Sequence, residues 1–283
     1  MTVAIIGVGL MGGSFALSLK EHKLATHIIG IDQNRVNAER AFEMKLIDEV
    51  IDFDTIAKRE DIDLMVITIP VNVIPSVAIK LLNKVHPHQI IMDMGSTKAE
   101  LCEMISAHKN RNRFVATHPM WGTECSGPEA AVQGAFKGRA LVICDSSNSD
   151  SDAVKVVENI YSTIGMRISY MDPEQHDLHA AYVSHISHIT SYALALTVLE
   201  KEREEDRIFD LSGAGFESTV RLAKSSPSMW TPIFLQNKYN VLDVLREHIH
   251  QLQILRRMIE QDDAKGINDA IAKANTIKKV LSR

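Results

Sequence analysis

Short, nearly continuous apolar runs alternate with amphipathic stretches through the first 170 residues, and then the alternation stops. The runs at 3–6, 27–31, 64–69 and 89–92 are rich in isoleucine, valine and methionine and predict strands buried on both faces. Between them, 10–20, 34–44, 73–82 and 99–107 have helical length and spacing. Such alternation predicts a mostly parallel sheet with helices on both sides. Further strands are expected at 114–116, 140–143 and 167–170, with a helix over 152–164 before the last. At Asp172-Pro173-Glu174-Gln175 a capping acid, a proline at the first helical position and an acid in the first turn announce a helix. Everything beyond reads as helix: 176–205, 215–225, 229–261 and 264–281. The expected fold class is α/β, with a mostly parallel sheet domain over 1–172 followed by an all-helical domain over 173–283.

Composition sharpens this division. A chain of 283 residues corresponds to about two domains at ~150 residues each. Eleven of the 14 glycines precede residue 172, so turns and close backbone approaches crowd into the first domain. Apolar residues at 45% and charged residues at 24% exclude disordered, collagen-like and coiled-coil classes. A formal charge of −5 gives no sequence-wide attraction to nucleic acid or anionic membrane. The run 200–207 is dense in charge but mixed in sign, as a solvated helix end would be. Three cysteines, Cys102, Cys125 and Cys144, are odd in number and share no CxxC spacing, which argues against a disulfide framework and for a reducing, cytoplasmic setting. The apolar start is broken by Gly7, Gly9, Gly12 and Gly13 and has no basic residue before it, unlike a secretory signal. The stretch 64–79 carries Pro70, Asn72 and Pro75 and falls short of the ~20 residues of a membrane helix.

Candidate chemistry begins at Gly7-Val8-Gly9-Leu10-Met11-Gly12, a GxGxxG directly between a predicted strand and a predicted helix. The first glycine permits the tight turn, the second lets backbone approach a pyrophosphate, and the third lets helix and strand pack closely. The helix start at Leu10 and Met11 then offers unpaired N–H groups to phosphate. Twenty residues past Gly12 a second strand ends in Asp32, where a carboxylate accepts from the adenosine ribose hydroxyls and repels a 2′-phosphate. The domain is therefore Rossmann-like and the expected cofactor is NAD. Pro70, at the end of the strand over 64–69, joins Gly7, Gly9, Leu10, Met11, Gly12 and Asp32 as a cofactor-binding candidate.

Ligands in open α/β sheets sit at the carboxyl ends of strands, and two polar segments fall there, 93–98 and 117–124. His118, just past a strand and flanked by proline and hydroxyls, suits an acid or base, because imidazole titrates near neutrality. A satisfied loop histidine, and a helix cap for Ser96, are the plain alternatives. His176, His179, His185 and His188 lie at 0°, 300°, 180° and 120° on one straight helix at ~100° per residue, so they do not converge on a metal. One or two are expected to face a cleft. With no HExxH present, no metal is expected. Arg221 is a candidate carboxylate anchor, since guanidinium binds carboxylates bidentately; a surface arginine is the alternative. His248 and His250 read as helix-surface residues.

Taken together, these segments resemble the prephenate dehydrogenase family over nearly the whole chain and in order. The markers are 7–14, Asp93-Met94-Gly95-Ser96-Thr97-Lys98, Thr117-His118-Pro119 through Gly122-Thr123-Glu124, Ser184-His185-Ile186-Ser187-His188, and 213–224 on to Met229-Trp230. The resemblance implies NAD(P)-dependent oxidative decarboxylation of prephenate to 4-hydroxyphenylpyruvate, on the route to tyrosine. It assigns His118 as the catalytic hydrogen-bond acceptor for the ring hydroxyl and Ser96 as the serine that orients it. Arg221 matches the anchor of a substrate carboxylate and His188 a substrate-pocket histidine. Thr123, Glu124, His176, Ser184 and Trp230 match other pocket or gating positions. It also implies a homodimer formed through the helical domain.

Some positions depart from the family's pattern. Met120-Trp121 stands where smaller residues are usual, Ser187 where proline is common, and Glu217 where a basic residue is frequent. An acid at 217 would suit an amine, as in arogenate, or merely lie in solvent. No further regulatory module is expected, so any feedback inhibition would act through the active site. Arogenate dehydrogenase is the nearest alternative, and a catalytically silent NAD-binding regulator is the alternative from another class. A 3-hydroxyacid or 6-phosphogluconate type enzyme wants a lysine on the first helix of the helical domain, and none lies between Pro173 and Leu199.

Overall fold

The computed structural model describes residues 1–205 and 207–281. In chain order the sheet domain contains β1 (Thr2–Ile6), α1 (Leu10–Glu21), β2 (His27–Ile31), α2 (Arg35–Glu43), β3 (Glu49–Val50), β4 (Leu64–Ile67), α3 (Ile74–Leu82), β5 (Ile90–Asp93), α4 (Ala99–Ile105), β6 (Phe114–Pro119), β7 (Ala140–Cys144), α5 (Ser151–Ile164) and β8 (Arg167–Met171). The eight strands form one sheet in the order β3-β2-β1-β4-β5-β6-β7-β8. All pairs are parallel except β6 with β7, where Thr117 faces Ile143 and His118 faces Val142.

The unbroken apolar runs follow from burial on both faces. In β1, Val3 and Ile5 pack on one side with Phe15, Leu19 and Tyr161, while Ala4 and Ile6 pack on the other with Ile67, Ile74 and Leu82. The order reverses direction between β1 and β4, which creates a crevice at the carboxyl ends of those strands. Because β7 runs against β6, the connection over 120–139 stays at that same end. It is tied down there by Ser14 Oγ accepting from Val132 N (2.9 Å) and by Arg40 donating to Glu129 (3.0 Å). The two-residue edge strand β3 is too short to stand out as an apolar run.

The helical part follows as α6 (Pro173–Ala180), a π-helical turn (Ala181–His185), α7 (Ile186–Glu202), α8 (Ala214–Val220), a 3-10 turn (Arg221–Lys224), α9 (Pro227–Gln236), α10 (Lys238–Glu260), α11 (Ala264–Ala274) and α12 (Ile277–Leu281). Each of the long helices expected from the pattern is interrupted. The stretch 176–205 changes pitch at the π turn, and Asp206 lies outside the described residues. The stretch 229–261 begins earlier, at Pro227, and breaks at Asn237, whose side-chain amide donates to Asp177 O (2.6 Å). The last helix breaks after Ala274. By compactness the chain forms two units, Met1–Lys238 and Tyr239–Arg283. In the second, Asp263 caps α11 by accepting from Gly266 N (2.8 Å). No helix among the described residues is long and apolar enough to cross a membrane, and no metal-binding group of His, Cys, Asp or Glu occurs among them.

Candidate active site

The glycine loop ends β1 at the crevice. Gly7 is left-handed (φ +99°), and a Cβ there would lie 2.6 Å from Thr68 O. A Cβ on Gly12 would lie 2.1 Å from Gly7 O, so both glycines are demanded by the turn itself. Gly9 differs: the nearest atom to its Cβ position is Gly127 N at 4.0 Å, leaving clear ground in front of the loop. The first-turn amides of α1, from Leu10 and Met11 onward, follow a glycine N-cap that supplies no side-chain acceptor. Asp32 closes β2 with its carboxylate fixed, Oδ2 accepting from Val8 N (3.0 Å) and Oδ1 from Asn34 N (2.8 Å). Pro70 is exposed just past β4, across the crevice. These residues fit a dinucleotide: bare glycine and helix amides for the pyrophosphate, and a carboxylate at the second strand for a ribose.

A buried polar network occupies the ends of β5 and β6. The ion pair of Asp93 and Lys98 is fully shielded from solvent. Asp93 also accepts from Gly95 N (2.8 Å) and Thr117 N (3.2 Å), which pins the 93–98 loop to β6. His118 is 8% exposed, and its Nδ1 lies 2.7 Å from His176 Nε2. His176 Nδ1 lies 2.7 Å from Asp177 Oδ1, and Asp177 accepts from the backbone amides of Lys98 (2.8 Å) and Ala99 (3.0 Å). Burial pushes His118 well below the ordinary histidine range, and the neighbouring His176, Lys98 and His185 push the same way. His118 is thus a neutral imidazole. Ser96 is half-buried in the 93–98 loop, and neither its hydroxyl nor His118 Nε2 has a hydrogen-bond partner among the described residues.

The helical elements bring the other expected residues into two further groups. His188 stacks on Trp230 with ring centroids 3.4 Å apart and planes 26° from parallel, and its Nδ1 donates to Ser184 O (3.1 Å). Trp230 is buried with its indole N–H unpaired. Arg221 donates to Glu124 Oε2 (2.7 Å), next to Thr123, whose hydroxyl accepts from Cys125 N (3.2 Å). Arg221 pulls Glu124 below the usual carboxylate range, after the loop's own backbone amide. No hydrogen bond joins Arg221 or His188 to His118 among the described residues.

The histidine geometry corrects the straight-helix expectation. Three of the four, His176, His185 and His188, turn inward, and only His179 is exposed. The π turn inserts the equivalent of one residue, rotating all later positions by roughly 100°. His188 is thereby carried from 120° to near the azimuth of His176. Asp177, Lys98 and Asn237 are network members that the pattern did not single out. The adjacent His176-Asp177 pair was the only signal, and it has meaning only once His118 is placed beside it.

Two family models match the chain. One, described as the nucleotide-binding domain of prephenate dehydrogenase, covers residues 15–170; the other, its dimerization domain, covers 172–273. The chain is 30% identical to the prephenate dehydrogenase of Bacillus subtilis over 94% of its length and 72% of that protein's. It is equally 30% identical to the cyclohexadienyl dehydrogenase of Zymomonas mobilis, over 92% and 89%. The structure of prephenate dehydrogenase from Aquifex aeolicus, in complex with hydroxyphenyl propionate and NAD+, superposes with a TM-score of 0.91 at 30% identity, covering all of this chain and 98% of that one. With both models in sequence order and these relatives matched over more than nine-tenths of this chain, the chain is an oxidoreductase of the prephenate dehydrogenase family.

Proposed function

We propose that the chain catalyses the NAD-dependent oxidative decarboxylation of prephenate to 4-hydroxyphenylpyruvate in the cytoplasm, as a step toward tyrosine. Residues 1–172 bind the dinucleotide through Gly7, Gly9, Leu10, Met11, Gly12, Asp32 and Pro70, and residues 173–283 supply substrate contacts and the dimer interface. NAD, when bound, supplies the acceptor for the hydride leaving the hydroxyl-bearing ring carbon. His118 accepts the hydrogen bond of that hydroxyl, and Ser96, with no hydrogen-bond partner among the described residues, helps orient it. Arg221 holds a carboxylate of the dianion in the charge-assisted manner suited to guanidinium. His188, Ser184, Trp230, Thr123 and Glu124 line or gate the pocket. Most of the catalytic effect is alignment and electrostatics, because aromatisation drives the reaction.

One observation carries this reading: a buried, neutral histidine stands at the same sheet end as the glycine loop and Asp32. An imidazole kept uncharged is ready to accept a proton. His118→Asn is expected to retain NADH binding by fluorescence titration while turnover falls by at least ~100-fold, the scale of general acid–base effects. Wild-type turnover in that variant would remove the base. Glu217 favours a second reading. It is exposed on α8 one turn before Arg221, where a carboxylate would suit the amine of arogenate. Parallel assays with prephenate and arogenate, each with NAD and NADP, decide between the two substrates and the two cofactors.

A further inference from the structure

We infer that His176 and Asp177 are positioning residues that hold His118 in a single tautomer, with the proton on Nδ1 and the lone pair on Nε2. The inference rests on the reading of His118 as the base, and it specifies which nitrogen acts. It follows by elimination along the hydrogen-bond chain. Asp177 accepts two backbone amides, at 2.8 Å from Lys98 and 3.0 Å from Ala99, so its oxygens serve as acceptors. His176 Nδ1, 2.7 Å from Oδ1, must therefore donate, and a ring that carries this one hydrogen offers only a lone pair at Nε2. Across 2.7 Å that lone pair faces His118 Nδ1, which must then carry the hydrogen. His118 Nε2 is left as an acceptor.

The chain is rigid as well as directional. His118, His176 and Asp177 are all buried, at 8%, 2% and 3% exposure, and Asn237 Nδ2 holds the Asp177 carbonyl at 2.6 Å. Asp177 thereby couples α6 to the first turn of α4 and so to the loop carrying Ser96. The arrangement also disposes of charge. The hydroxyl proton moves to Nε2 as the carbon–hydrogen bond breaks, and the O–H electron pair becomes the carbonyl bond. When carbon dioxide leaves, its bonding pair aromatises the ring and the oxygen recovers the proton. During that interval the imidazolium shares the buried network with Lys98, which is itself paired with Asp93, and the carboxylate of Asp177, acting through His176, helps offset it. No proton need leave the chain.

Nitrogen-15 NMR of histidine side chains, with His118 assigned by the loss of its signals in His118→Asn, reads the tautomer in the ligand-free wild-type protein. The expected result is a protonated Nδ1 and an unprotonated Nε2 at neutral pH. Asp177→Asn, which removes the carboxylate charge and leaves one acceptor oxygen for the donors of His176, Lys98 and Ala99, should lower kcat for prephenate by at least ~100-fold, with KM changed less than ~3-fold. Asp177 also caps α4, so His176→Phe provides a variant that leaves those caps intact. It should lower kcat by at least ~10-fold, the cost of orphaning one buried donor. A proton on His118 Nε2 in the wild type, or kcat within ~3-fold of wild type in folded His176→Phe, would overturn the relay. A wild-type protein with the expected tautomer but no turnover of prephenate or arogenate would sink the proposed function and still support the relay's geometry.

Discussion

Gly9 and Gly12 lie three residues apart in one loop and answer to different constraints. A methyl group at Gly12 meets Gly7 O at 2.1 Å, whereas one at Gly9 meets nothing closer than 4.0 Å. Gly12→Ala is expected to destabilise the fold by about 1–3 kcal/mol or more through overpacking. Gly9→Ala should melt within ~0.5 kcal/mol of the wild type, as an unstrained, uncrowded site does, and yet bind NADH more weakly. Calorimetry and a fluorescence titration on the two variants test this; equal loss of stability in both would refute it. The glycine spacing, Asp32 and His118 were legible because their signals are local: a strand end, a turn, a fixed interval. Ser96 and Arg221 were legible as members of motifs. Asp177 was not, because apart from the adjacent His176 its partners Lys98, Ala99 and Asn237 lie 60 to 79 positions away and no spacing reveals them.

At the scale of elements, the π turn over Ala181–His185 decides which histidines face inward. Periodicity finds a helix there without difficulty, but it assumes one pitch throughout, and a change of pitch leaves no mark on an apolar pattern. The consequence is measurable. Burial lowers His185 to about 4, and it lowers His118 and His188 as well. Each stays neutral in the fold while the unfolded chain begins to protonate near pH 6.5. Stability from these groups is therefore complete above about pH 6.5 and is lost as pH falls toward their folded values, because there the unfolded state binds more protons. Thermal melts at constant ionic strength should show Tm declining between pH 6.5 and 5, above the range where most carboxylates titrate. A flat Tm across that interval would show that these rings are not buried neutral.

For the whole molecule, the proposal of a homodimer has a physical basis in the helices. Within the second compact unit, Leu242, Ile249, Leu252 and Ile259 along α10 are 46–65% exposed in the single chain. A run of large apolar side chains on one helix is usually covered. Light scattering should give twice the monomer mass at micromolar concentration, and a monomer there would remove the proposal. On its own, the sequence determined the fold class, and it named the glycine loop, its acid and the candidate site residues, because each is written in contiguous pattern or short motif. Only the tertiary structure decided that β7 turns back and keeps its loop at the site, that the π turn rotates His188 onto Trp230, and that Asp177 and His176 back His118. Those outcomes depend on distances between segments remote in sequence, and hydrogen-bond direction has no meaning until those segments meet.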